Sequence, residues 1–98
     1  MADDFLTETI RERSKRNPDF SLLVDAALAR RELLHELANE RQAKGLSQTA
    51  VAAKMETSQS FVARLERGDV DTKISSVERF AAAVGKRVQW QLVDVDTH

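Results

Sequence analysis

Only three glycines and one proline interrupt this chain of 98 residues, and where they fall constrains most of what it can fold into. Gly45 follows "ANERQAK", Gly68 follows "VARLER" and Gly85 follows "ERFAAAV". Each stands just past a stretch whose apolar residues recur every three or four positions. A residue without a Cβ closes the last turn of a helix at such places. Pro18, in "RNPDF", suits the first turn of a helix with Asn17 as its cap. The punctuation is that of an all-α chain.

Between these marks the apolar periodicity predicts five helices. The first covers about 4–16, with Phe5, Leu6, Thr9, Ile10 and Arg13 on one side. The second covers 18–44 and places Phe20, Leu23, Val24, Ala27, Leu34, Leu37 and Ala38 on one face. Unbroken, it would be roughly 40 Å long at ~1.5 Å per residue, although the charged "RRE" at 30–32 allows a bend. Two short helices follow, at 48–55 and 58–67. The fifth opens at "SSVE", where Ser75 and Glu78 have capping-box spacing. It carries Val77, Phe80, Ala81 and Val84 toward the core and stops at Gly85. After it "KRVQWQLVDV" alternates, with Val88, Trp90 and Leu92 on one face, and reads as a strand.

Hydrophobic residues make up 42% and charged residues 32% of the chain, the balance of a globular protein rather than a disordered one. The absence of cysteine excludes disulfides and thiolate metal sites. No apolar run is long enough to span a bilayer, and "MADDFLTETI" lacks the basic start of a signal peptide. A cytoplasmic location is expected. The net charge of −1 conceals an asymmetry. Residues 1–40 hold six Lys/Arg against nine Asp/Glu, whereas residues 41–98 hold nine against seven.

The pair of short helices is the most specific feature. Two helices that cross closely need a small residue at the crossing, which Ala52 supplies, and apolar residues facing a shared core. Val51 and Met55 serve from the first helix, Val62 and Leu65 from the second. Ser58, Gln59, Ser60 and Arg64 are left on the outer face and leading end of the second, the positions from which a recognition helix meets base edges in the major groove. Gln pairs bidentately with adenine, Arg with guanine, and Ser with bases or phosphates. Gln48, at the start of the preceding helix, stands where its amide and the helix N-terminus meet a phosphate. Lys44, Lys54 and Arg67 add cations for further phosphate contacts.

The segment "RQAKGLSQTAVAAKMETSQSFVARLERG" resembles the lambda-repressor-like, XRE-type helix-turn-helix family, over about residues 33–85. The resemblance implies base contact by Gln59, Ser60 and Arg64, with Ser58 nearby. It also implies a structural pair between Arg41, before the motif, and Glu66, late in the recognition helix. The chain departs from the family at Glu56, where glycine usually stands in the turn. A left-handed Glu56 would cost roughly 1–2 kcal/mol.

Competing readings are plainer. The motif serves as a packing unit in some proteins, with its polar face merely solvated. His35 has no second His or Cys with which to share a metal, His98 is terminal, and Trp90 suits packing better than ligand binding. No nucleophile with a base and no phosphate-binding loop is apparent, so no metal, no cofactor and no enzymatic activity are expected.

A lone strand leaves its backbone groups unpaired, and pairing with a second copy about a two-fold axis would satisfy them. Val88, Trp90 and Leu92 would then form the core of a homodimer. A strand-ended helix-turn-helix with added N-terminal helices also resembles HigA-like antitoxins. That resemblance implies a homodimer that represses its own operon at a double-stranded DNA operator. It further implies a small basic toxin, a RelE/HigB-like ribonuclease, bound by the acidic N-terminal region through Phe5, Leu6 and Ile10. The expected organisation is an N-terminal helical region at 1–32, a DNA-binding domain at 33–85 and a dimerising tail at 86–98. The alternatives are a stand-alone repressor and a protein-interaction module that no longer binds DNA.

Overall fold

A computed structural model describes residues 19–68 and 71–95, and within them the chain forms four α-helices. They are α1 (Asp19–Ala43), α2 (Gln48–Met55), α3 (Gln59–Arg67) and α4 (Ile74–Ala83). The all-α expectation holds at this level. The helix expected at 4–16 lies outside the described residues, so four helices rather than five are seen. α1 is continuous through Arg30, Arg31 and Glu32, whose charges do not break the backbone ladder.

Each helix buries one stripe in a common core. Leu34 and Leu37 come from α1, Val51, Ala52 and Met55 from α2, and Val62 and Leu65 from α3. From α4 come Val77, Phe80, Ala81 and Ala83, followed by Val84. A fully buried Leu, Val or Phe contributes about 1.5–3 kcal/mol relative to exposure, so this cluster supplies the main driving force. Only the C-terminal half of α1 takes part. In its N-terminal half Leu22, Leu23 and Leu28 are exposed.

The helix starts are held by serines. Ser47 Oγ accepts from Ala50 N at 3.0 Å, and Ser58 Oγ accepts from Phe61 N at 3.1 Å. Such caps are worth about 1 kcal/mol each. The start of α4 differs from expectation. The helix begins at Ile74 after Lys73, without a side-chain cap, so Ser75 and Glu78 lie inside the helix rather than forming a capping box. The extended backbone ends at Lys73, two residues before Ser75, and that sets the register.

α1, α2 and α4 end in the same paired hydrogen-bond pattern, which satisfies carbonyls the helix leaves orphaned. Leu46 N reaches Arg41 O and Gly45 N reaches Gln42 O, at 3.1 and 2.9 Å. Lys86 N reaches Ala81 O and Gly85 N reaches Ala82 O, at 2.8 and 3.0 Å. In the α2–α3 turn Thr57 N reaches Ala52 O at 2.9 Å and Glu56 N reaches Ala53 O at 3.2 Å. Glu56 thus occupies the left-handed position that glycine fills in the other two, with φ 56° and ψ 47°. Glycine there would relieve about 1–2 kcal/mol of strain and return part of it as unfolded-chain entropy. Glu56→Gly is therefore expected to stabilise the protein by about 0.5–1 kcal/mol in urea unfolding; an unchanged midpoint would show that the turn carries no strain.

Two cations tie these ends to their neighbours. Lys44 Nζ donates to the Val84 carbonyl at the end of α4, and Arg79 Nη2 donates to the Met55 carbonyl at the end of α2. After α4 the chain runs through 86–95 without regular structure. The strand expected there is not formed, because a strand exists only with a partner. Among the described residues no backbone group of 87–95 pairs with another backbone group.

Candidate nucleic-acid interface

α3 is nine residues long and strongly two-sided. Val62, Leu65 and Glu66 are buried against α1 and α2, and Gln59, Ser60, Arg64 and Arg67 are exposed. Residues 60, 64 and 67 share one line along the helix, and Gln59 stands beside it at the leading end. Ser58 is exposed too, but it is the N-cap rather than a helical residue. Its hydroxyl is already engaged with Phe61 N, and it lies 3.1 Å from Ser60 Oγ.

Behind this face a hydrogen-bonded relay connects three helices. Arg41 Nε donates to Glu66 Oε2 at 2.5 Å and Nη2 donates to Oε1 at 3.1 Å, a two-pronged ion pair linking α1 to α3. Arg41 Nη1 also donates to the Leu46 carbonyl at 2.7 Å. Gln48 Nε2 then donates to Glu66 Oε1 at 2.9 Å, and Gln59 Nε2 donates to Gln48 Oε1 at 2.5 Å. Among the described residues no buried side-chain nitrogen or oxygen is left without a partner.

The relay has a direction. A carboxylate only accepts, so Gln48 must turn its amide nitrogen to Glu66. Its carbonyl oxygen then faces Gln59 and takes one Nε2 hydrogen. Gln59 retains its second N–H and its own carbonyl oxygen, a donor and an acceptor side by side at the leading edge of α3. That pair is what adenine N7 and N6–H₂ require.

The other expected site residues are distributed as follows. Lys54, on α2, and Arg64 are exposed, and neither side chain has a partner among the described residues. Arg64 borders a groove with Phe61, Asp71, Thr72, Lys73 and Ser76. Arg67 is exposed in the last turn of α3. Lys44 points to the end of α4 and would reach a phosphate only by leaving the Val84 carbonyl. Val88 is half-buried against the core, while Trp90 Nε1 donates to Glu78 Oε2 at 3.2 Å and Leu92 is wholly exposed. Phe5, Leu6 and Ile10 lie outside the described residues.

Ser47 and Arg79 escaped the sequence reading, and Gln48 was read as a phosphate contact rather than as the link between Glu66 and Gln59. Ser47 could have been found from "GLSQ", since serine before a polar-apolar helical run is an N-cap signature. Arg79 acts on a carbonyl 24 residues away, and Gln48 on a carboxylate 18 residues away. No local pattern reveals such pairings.

Among the described residues no group of three or more His, Asp and Glu could hold a metal, and no helix is long and apolar enough to cross a membrane. A family model described as a helix-turn-helix domain matches residues 32–86, from the middle of α1 to just past α4. No curated protein and no solved structure matches the chain. The match covers more than half of the chain and contains the whole core and the whole relay, and it places this protein in the helix-turn-helix domain family of DNA-binding proteins.

Proposed function

We propose that the protein is a sequence-specific DNA-binding transcriptional repressor of the XRE type that lays α3 in the major groove. The observation that carries this reading is the relay from Arg41 through Glu66 and Gln48 to Gln59. A merely solvated helix face gains nothing from a preset glutamine amide, whereas base readout depends on one. Gln59 reads adenine, Arg64 reads guanine, and Ser60 and Ser58 contact bases or phosphates beside them. The N-terminus of α2 at Gln48, with Lys54 and Arg67, holds the backbone, and Lys44 joins them if it exchanges its carbonyl for a phosphate.

Binding to the DNA upstream of the protein's own reading frame, measured at several salt concentrations, tests the assignment. Each phosphate contact should contribute a slope of about −0.9 in log K against log salt, and Lys54→Ala should flatten the slope by about one contact. Gln59→Ala and Arg64→Ala should each cost about 1–3 kcal/mol on the preferred sequence and little on unrelated DNA. Binding that ignores both salt and these substitutions would instead indicate a protein-interaction module.

A second reading concerns the N-terminal half of α1. Leu22, Leu23 and Leu28 are exposed there at 43%, 65% and 56%, within the acidic part of the chain. Such a surface suits a basic protein partner and accords with the resemblance to HigA-like antitoxins. The proposal extends to an antitoxin that neutralises a RelE/HigB-like ribonuclease, with Phe5, Leu6 and Ile10 continuing the contact. Co-expression with the adjacent reading frame tests it. A small basic protein that co-purifies supports the antitoxin, and its absence supports a stand-alone repressor.

A further inference from the structure

A cleft of about 600 Å³ opens between α1, the start of α4 and the chain segment at 90–93. Sites that hold small organic molecules span about 300–1,000 Å³. On α1 the cleft is bordered by Ala26, Ala29 and Leu33, whose helical spacing puts them on one side of the helix. Ala26 and Ala29 are exposed, and neither has a side chain long enough to fill the space. Ile74 and Val77 line it from α4, and Trp90 and Val93 from the last segment.

The polar groups of the cleft select its ligand. Arg30 is the one charged residue that lines it among the described residues, and no carboxylate borders it. Arg30 is half-buried, and its guanidinium has no hydrogen bond or ion pair among the described residues. A cation beside apolar walls attracts an anion more strongly than one in open water, because the local dielectric is lower. The planar guanidinium presents two parallel N–H groups at the spacing of the two oxygens of a carboxylate. Gln91 borders the cleft too and carries a further amide donor. A phosphate dianion would bring a second, unpaired charge against the apolar walls. Trp90 is tethered through Nε1 to Glu78 Oε2 at 3.2 Å, which holds a large apolar surface beside the cleft.

We infer that this cleft binds a small amphipathic carboxylate, with its carboxylate on Arg30 and its hydrocarbon body against Ala29, Val77 and Trp90. The bound molecule bridges two helices and the segment after α4. It covers apolar surface that Ile74, Trp90 and Val93 expose at 60%, 51% and 73%. Thr72 borders this cleft and the groove beside Arg64 alike. The chain at 72–77 is thus the wall between the ligand and the DNA-facing side. The inference goes beyond the DNA-reading assignment and does not rest on it, and its tests require no DNA.

Trp90 is the only tryptophan in the chain, so its fluorescence reports on this cleft directly. Titration of the full chain with octanoate should shift the emission to shorter wavelength, with half-saturation on the order of a millimolar. Phenylbutyrate, titrated alongside, separates an aromatic body from an aliphatic one, and saturable binding of either supports the inference. Octylammonium, with the same chain and the opposite charge, should bind about ten-fold more weakly than octanoate. Arg30→Glu should reverse that preference, and Ala29→Phe should weaken both ligands because its ring takes the space. Neither residue is fully buried, and circular dichroism checks that both variants remain folded. No shift with either carboxylate, equal binding of the two charges, or a preference that Arg30→Glu leaves unchanged would each overturn the inference. So would affinities that Ala29→Phe does not alter. An affinity that falls as protein concentration rises would assign the cleft to a second copy and overturn it as well.

Discussion

Replacing Arg41 by alanine is expected to lower the unfolding free energy by about 3–5 kcal/mol, the range for removing one partner of a buried ion pair. The side chains of Arg41 and Glu66 are only 11% and 9% exposed, so the carboxylate left behind has little water to turn to. It would keep the Gln48 amide and lose both guanidinium bonds. The Leu46 carbonyl, which ends the α1–α2 turn, would also lose its donor. A domain with a total stability of 5–15 kcal/mol would come close to unfolding at 37 °C. Urea unfolding should show a lower midpoint at an unchanged slope, since the surface exposed on unfolding stays the same. A loss below about 1 kcal/mol, the level of a surface ion pair, would mean that solvent reaches Glu66 and that the relay does not position Gln59.

The second large effect is expected at Gly68. A Cβ there would lie 2.7 Å from Arg31 Cγ and 3.1 Å from Arg31 Cα, closer than atoms pack without displacement. Arg31 Cγ could swing aside, but its Cα belongs to a continuous helix. The residue also sits at φ 67°, where a Cβ carries its own strain. Left-handed strain of about 1–2 kcal/mol together with overpacking of 1–3 kcal/mol gives a cost of about 2–4 kcal/mol for Gly68→Ala. Gly45 makes a useful control: it has a similar φ of 69° with nothing within 4 Å of a built Cβ. Gly45→Ala should therefore show the strain alone. Equal losses at the two positions would mean that the end of α3 does not press on α1.

Gly68 also shows how much of the fold was legible. Its position past "VARLER" announced the end of a helix, because that signal is local. That its bareness also admits α1 was hidden, since the contact joins residues 37 positions apart. The core followed a similar rule. Val51, Met55, Val62, Leu65, Val77, Phe80 and Val84 fall at helical spacing, and all are buried. The start of α4 was misplaced because Ser75 and Glu78 match a capping box while the chain enters the helix at Ile74, two residues earlier than that box requires. The strand at 86–95 followed from alternation, which states how side chains would be disposed but supplies no hydrogen-bond partner within one chain.

The DNA-facing side chains show the same division. That Gln59, Ser60 and Arg64 lie outside was readable from the apolar stripe, whose rotation leaves them no other place. Ser58 was readable as exposed, but its role as a cap appears only when the helix start is located one residue later. The orientation of the Gln59 amide depends on Glu66, seven residues on and itself oriented by α1. No pattern within a single helix contains that information.

The central claim is that a preset Gln59 reads a base, and selection of bound sequences from random duplex DNA tests it most directly. The wild-type protein should enrich a motif that includes a fixed adenine. Gln59→Ala should enrich the same motif with that position relaxed, and Gln48→Ala should weaken the preference there while leaving the other positions intact. Enrichment of an identical motif by all three proteins would contradict the account, as would a wild-type protein that enriches no motif at all.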